Sequence, residues 1–339
     1  MGNTLTRSES STSVVEMKMA AGGRYVVFSS LAGDLVAGDT NGSLDVFRRD
    51  LQTGTTERVN VLPNGDQLPP SGNGVGDMRL DISADGRFII YSSFFDMTGT
   101  GAELPNMALF VRNMQSNVTT LVAMGNGYII QYAAISASGE YIAYSTPIVG
   151  PVRERIWLYD NEADDTYDLF TMDPANGVDF LGQGLSVSDN GRYVAFALRS
   201  APLLGNSVTQ TVLVDRNNPD ELIPVSTGSL DSGIGFGTAT SNYPKISADG
   251  RYVAFSTNAP NISGGVANTQ DMALMVRDMQ TQTTSVASRR ANGTSVRTSL
   301  AAANGYDISD DGSTVVFGAT QFDMDGGPLE QHLYAAPRP

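Results

Sequence analysis

One phrase recurs along this chain, and a recurrence of this length constrains the fold more than any other feature. Its second copy reads Leu80-Asp-Ile-Ser-Ala-Asp-Gly-Arg-Phe-Ile-Ile-Tyr-Ser-Ser93. Its fifth reads Lys245-Ile-Ser-Ala-Asp-Gly-Arg-Tyr-Val-Ala-Phe-Ser-Thr257. The key glycines are Gly23, Gly86, Gly139, Gly191, Gly250 and Gly312, spaced by 63, 53, 52, 59 and 62 residues. Six copies of one unit thus fill the 339-residue chain, and no shift in composition marks a second domain.

Each unit reads as four strands. A short first strand ends at Ile-Ser. Ser-x-Asp-Gly then makes a hairpin turn, because Asp accepts backbone N–H groups and Gly takes the left-handed conformation without steric cost. The second strand, such as Arg251-Tyr-Val-Ala-Phe-Ser256, is apolar on both faces, as expected of a strand buried between neighbouring sheets. The third appears as Leu44-Asp-Val-Phe-Arg-Arg-Asp50 or Met272-Ala-Leu-Met-Val-Arg277, and the fourth as Thr55-Thr-Glu-Arg-Val-Asn60. No apolar stripe of period 3.6 and helical length is present.

Four-stranded antiparallel units repeated six times describe an all-β, six-bladed β-propeller in a single domain. The blades fall at about 15–60, 76–123, 131–172, 183–226, 243–288 and 304–336. The sixth unit stops after its third strand, while Thr4-Leu-Thr-Arg-Ser8 resembles Thr55-Thr-Glu-Arg-Val59. The strand at 4–8 is therefore expected to complete the last blade and remove an open edge.

Composition narrows the function classes. Hydrophobic residues at 41% supply a core. A net charge of −15 argues against nucleic-acid binding, which needs cations to displace counterions from phosphates, and against anionic lipid. The absence of cysteine removes disulfides, thiolate nucleophiles and zinc–thiolate sites. No run reaches the 18 apolar residues of a membrane span, and residues 1–13 lack the apolar stretch of a signal peptide.

The phrase Ile-Ser-Ala-Asp-Gly-Arg-Tyr-Val-Ala-Phe-Ser, followed elsewhere by Asp45-Val-Phe-Arg-Arg-Asp-Leu-Gln-Thr-Gly54, resembles the TolB-like (WD40-like) β-propeller repeat of bacteria. The resemblance covers residues 4 to 336. It implies one of three roles: a periplasmic partner-binding module, a module of a secreted protein, or a gating domain of a peptidase. Neither a TolB-type N-terminal domain nor an α/β-hydrolase domain is recognisable beside it. The related oligogalacturonate lyases place several histidines around a metal, whereas this chain has only His332.

The chemistry-bearing residues are few. His332 falls in the expected third strand of the last blade, away from any nucleophile motif. No phosphate loop, dinucleotide fingerprint or His-Glu zinc pattern occurs. Asp85, Asp249 and Asp311 recur because the turn needs them, and Asp164 and Asp165 fall in a hairpin tip. The loop Asp39-Thr-Asn-Gly-Ser-Leu-Asp45 differs. Asp39, Asn41 and Asp45 around Gly42 match the later part of a calcium-binding loop, with Ala37 where an earlier ligand would stand. The same pattern also fits an Asx-type turn that needs no ion. Blade 6 carries a weaker echo at Asp323 and Asp325.

The loops joining one blade to the next are long and rich in Gly, Asn and Pro, as in 62–76 and 227–240. Strand alternation puts them on the same face as the Asp39–Asp45 loop. Loops on a rigid scaffold are where binding usually resides. The leading expectation is a non-catalytic binding or scaffolding module, extracellular or periplasmic, that engages a protein or glycan through this face. The alternatives are a structural subunit of an assembly, such as a phage virion or surface layer, and a carbohydrate-active lyase or hydrolase using channel carboxylates.

Overall fold

The computed structural model describes residues 14–70, 79–125, 130–148, 153–171, 178–200, 204–205, 207–229, 236–264, 272–288, 305–321 and 330–338. The fold is an all-β, six-bladed β-propeller of antiparallel sheets. Blade 1 holds β1 (Val14–Met19), β2 (Tyr25–Ser30), β3 (Asp45–Asp50) and β4 (Thr55–Arg58). Blade 2 holds β5 (Asp81–Ile82), β6 (Phe88–Phe95), β7 (Glu103–Asn113) and β8 (Val118–Met124). Blade 3 holds β9 (Tyr132–Ile135), β10 (Tyr141–Ile148), β11 (Arg153–Asp160) and β12 (Asp165–Thr171). Blade 4 holds β13 (Val178–Val187), β14 (Tyr193–Ser200), β15 (Gln210–Asp215) and β16 (Asn218–Pro224). Blade 5 holds β17 (Ser241–Ile246), β18 (Tyr252–Thr257), β19 (Ala273–Asp278) and β20 (Thr283–Val286). Blade 6 shows three strands, β21 (Tyr306–Ile308), β22 (Thr314–Gln321) and β23 (Glu330–Pro337). The strand expected at 4–8 lies outside the described residues.

Contacts divide the chain into two compact units: Met1–Gly150 with Arg155–Tyr167, and Pro151–Glu154 with Asp168–Pro339. Within each unit the second strands are buried on both faces, as their continuous apolar runs require. In β6, Ile89 and Tyr91 pack toward blade 1 with Val27, Val46 and Phe110, while Ile90 packs toward blade 3 with Ile142 and Tyr144. In β18, Val253 and Phe255 join the blade 4 side, while Tyr252 and Ala254 join the blade 6 side. Each large side chain so buried contributes roughly 1.5–3 kcal/mol. Met107, Met114 and Met272 are also buried, as packing residues.

The recurring turn explains its own residues. In blade 2 the Ser83 hydroxyl donates to Asp85 Oδ1 at 2.7 Å and accepts the Phe88 N–H at 2.9 Å. Asp85 Oδ1 also accepts the Arg87 N–H at 2.9 Å. Asp249 and Asp311 repeat both contacts. Gly250 is required twice over. Its φ is +76°, and a Cβ there would stand 2.5 Å from Tyr193 Cδ2 of the preceding blade. Gly86, Gly139 and Gly312 meet Tyr25, Phe88 and Tyr252 in the same way. In these four pairs the aromatic of one phrase seats against the turn of the next, and backbone bonds from Asp189 N–H to Ala248 O (2.8 Å) and from Ala248 N–H to Asp310 O (2.9 Å) link the turns of blades 4, 5 and 6.

Candidate functional site

The face opposite these turns carries the β2–β3 loops and the blade-to-blade loops. In blade 1, Asp39, Asn41 and Asp45 are brought together. They converge on Arg58, at the end of β4. Arg58 Nη2 lies 3.1 Å from Asp39 Oδ1 and Nε lies 3.4 Å from Asp45 Oδ2. Both contacts are off the hydrogen-bond axis, so the attraction is coulombic rather than directed. All three side chains are nearly dry, at 8% exposure for Arg58, 4% for Asp39 and 1% for Asp45.

Amide side chains supply the directed bonds. Asn60 Nδ2 donates to Asp45 Oδ1 at 2.6 Å, and Asn41 Nδ2 donates to Asp45 Oδ2 at 3.2 Å. Asn41 Oδ1 accepts the Ser43 N–H at 2.9 Å, which is the Asx-type turn. Burial pushes Asp45 above the usual carboxylate range, against the lowering effects of Asn60, Arg58 and Asn41. Two carboxylates and one guanidinium leave the trio one negative charge in excess. A divalent ion at the expected calcium position would have to displace the guanidinium. Asp323 and Asp325, the weaker echo, lie outside the described residues. Among the described residues no group of three or more His, Asp or Glu side chains is placed to hold a metal ion.

This network reaches the blade-to-blade loop. Arg58 Nη1 donates to Gln67 Oε1 at 3.1 Å, Gln67 Nε2 donates to Thr40 Oγ1 at 2.6 Å, and Asn41 Nδ2 donates to Leu68 O at 3.3 Å. Blade 4 repeats the device with other residues. Gln210 occupies the register position of Asp45 and is fully buried. Its Nε2 donates to Gly237 O at 2.9 Å and Ala239 O at 3.3 Å, while its Oε1 accepts the Ser226 hydroxyl at 2.6 Å. Asn261, in the β18–β19 loop, holds Thr238 and Phe236 of the same blade-to-blade loop. Blades 2 and 5 place Ala108 and Ala273 at this position and lack the clamp. Sequence reasoning missed Arg58, Asn60, Gln67 and Gln210, because partners 9 to 27 residues apart leave no motif. Aligning position 45 across the repeats would have shown that only some blades are polar there.

The other sequence candidates fall as follows. Asp164 sits in the β11–β12 turn with φ +54°, and its Oδ1 accepts the Tyr159 hydroxyl at 2.7 Å, which is a structural role. Asp165 is exposed and its Oδ1 accepts the Thr166 N–H at 2.8 Å. His332 lies in β23, where its backbone pairs with Ala319. Two glutamates that no motif marked have displaced acidities. Burial pushes Glu16, in β1, up to about 7, against the lowering charges of Lys18 and Arg79. Burial pushes Glu154, in β11, up to about 7, and its Oε2 is buried without a hydrogen-bond partner.

No family model and no curated protein sequence matches the chain. Similarity is found in solved structures. Against the putative TolB from Agrobacterium tumefaciens the TM-score is 0.50 at 14% identity, over 96% of this chain and 90% of that one. Against the β-propeller domain of the Trilobed protease from Pyrococcus furiosus it is 0.55 at 10% identity, over 96% and 85%. Against TolB from Acinetobacter baumannii it is 0.46 at 15% identity, over 79% of this chain, which spans about half (53%) of that one. At such identities the likeness carries the fold alone: the chain has the TolB-like six-bladed β-propeller fold, shared by proteins of several functions.

Proposed function

We propose that this protein is a non-catalytic binding or scaffolding propeller that engages a protein or glycan partner through its blade-to-blade loops. The observation that carries the reading is the pair of buried clamps, at Asp45–Arg58–Asn60 and at Gln210–Ser226, which fix those loops to the sheets. Buried polar groups are expensive unless satisfied. Here they hold loop backbone in place, the kind of preorganisation that lowers the ordering cost of binding. A periplasmic or extracellular setting fits the TolB-like fold and the absence of cysteine.

The test combines a glycan array with affinity capture and crosslinking mass spectrometry from the native host. Leu31, 49% exposed just after β2, and Asn64 lie on the loop face; Gln280 lies on the turn face. Binding lost in Leu31→Glu with Asn64→Arg, and kept in Gln280→Arg, supports the reading. Binding that survives the loop-face change overturns it, as does glycan turnover abolished by Glu16→Gln. The assembly-subunit reading draws on the exposed Met17 and Met19 (62% each) in β1. A fixed oligomer in native mass spectra would favour it.

A further inference from the structure

The turn face holds a feature that the loop-face reading does not use. In blades 1, 4 and 5 the Arg of the recurring phrase pairs with the Asp that ends the third strand. These pairs are Arg24–Asp50, Arg192–Asp215 and Arg251–Asp278, each at 2.8 Å. Blade 2 keeps the base and loses the acid. Its Phe88 pairs in register with Asn113, where Tyr25, Tyr193 and Tyr252 pair with Asp50, Asp215 and Asp278. Blade 3 keeps the acid, Asp160, and loses the base. Glu140 stands at the arginine's place, its carbonyl accepting the Asn161 N–H at 2.7 Å as the Arg24 carbonyl accepts that of Leu51 at 2.8 Å.

The breaks leave Arg87 without an acid and put an acid, Glu140, where the next base would stand, and these two side chains line one groove between blades 2 and 3, of about 550 Å³. That volume is within the range of ligand sites. Arg87 lies over the Phe88 ring at 4.3 Å on one wall; Glu140 and Glu162 are exposed on the other. Among the described residues none of the three makes a side-chain ion pair within 4 Å, so the opposite charges do not close on each other. Val118, 55% exposed, and Thr120 border the groove from β8, which among the described residues is the terminal strand of its sheet, the position at which an extended segment can add. The equivalent groove between blades 4 and 5 is smaller, about 310 Å³, and its Arg251 is already paired.

We infer that the groove between blades 2 and 3 is a docking site for an extended peptide segment that carries a carboxylate and, within two residues, an ammonium or guanidinium group. The carboxylate meets Arg87, the cation meets Glu140, and the backbone runs along β8. A simple anion would leave Glu140 and Glu162 unanswered, and a simple cation would leave Arg87 so.

The test is methyl NMR on the full chain with labelled valines, because Val111 and Val118 report from the groove itself. The probes are acetyl-Glu-Val-Lys-amide, its Gln-Val-Lys and Glu-Val-Gln analogues, and glucuronic acid. The doubly charged peptide is expected to move both methyl signals and to bind about threefold to fivefold more tightly than either analogue, the range of one exposed ion pair. Arg87→Gln should erase the preference for Glu over Gln, and Glu140→Gln the preference for Lys over Gln. Both residues are exposed, and an unchanged methyl spectrum elsewhere verifies folding. Equal affinity for all three peptides overturns the inference, as does no shift at about 10 mM peptide, the weakest binding worth calling a site. Glucuronate binding unaffected by Glu140→Gln, without peptide binding, overturns it in favour of a plain anion site.

Discussion

Replacing Arg58 by Met would test the buried trio most directly. Met keeps much of the arginine stem's packing and removes only the charge and its donors. What remains is Asp39 and Asp45, 4% and 1% exposed, with no cation between them. Breaking a buried ion pair by removing one partner costs about 3–5 kcal/mol. A chain of this length unfolds with an entropy of about 0.7 kcal/mol per kelvin, so the expected fall in Tm is about 4–7 °C at pH 7. The loss has a pH signature. Burial already holds Asp45 above the usual carboxylate range, and removing the Arg58 charge, which lowers it, raises it further. The variant therefore gains stability relative to the parent as pH falls from 7 toward 5, and the gap in Tm narrows. Adding Asp39→Asn and Asp45→Asn should recover most of the loss. Scanning calorimetry at pH 7 and pH 5, with and without calcium or a chelator, reads all of this. A fall of under about 1 °C, or about 0.7 kcal/mol, would refute the coulombic argument, being no more than an exposed pair contributes. A parent protein that a chelator destabilises would refute it differently, by showing that an external cation, not Arg58, holds the loop.

Three further outcomes are expected. Gly250→Ala forces a Cβ to within 2.5 Å of Tyr193 and imposes φ +76° on a residue that resists it, so chemical denaturation should show a loss of about 2–4 kcal/mol. Gln282→Gly acts the other way: position 282 holds φ +56° in the β19–β20 turn, and relieving that strain should raise stability by about 0.5–1 kcal/mol in the same assay. Glu16→Gln should stabilise the protein at pH 8 and leave it unchanged at pH 4. Burial holds the folded pKa near 7, above the unfolded value, so the parent loses stability as pH rises through that range. Urea midpoints that shift equally at both pH values would remove Glu16 from that account.

The fold was legible because its information is local and repeated. Ser83, Asp85 and Gly86 satisfy one another within four residues, so the turn shows in any single copy. Two-sided burial of β6 and β18 shows as an unbroken apolar run. The site was legible only in part. Asp39 and Asp45 lie against Arg58, and Asn41 against Asp45, whereas their spacing in sequence names no such partner. Carboxylates that converge on a cation look the same in sequence whether that cation is calcium or a guanidinium from another strand. Glu16 and Glu154 were invisible for a related reason: nothing about a glutamate in a strand states how dry its surroundings are.

The sequence by itself determined the number of blades, the strand order within each, the turn chemistry and the classes of partner that a charge of −15 disfavours. These follow from period-2 patterning, from backbone conformations that only Gly tolerates well, and from composition. Tertiary structure decided which side chains meet. Pairing β3 with β4 brought Arg58 to Asp45, and the loop after β2 brought Asp39 to the same guanidinium. Stacking blade 3 on blade 2 put Arg87 and Glu140 into one groove, 53 residues apart in sequence. A repeat specifies each sheet from within. The charges left unpaired, and the groove they share, exist only once one sheet is laid against the next.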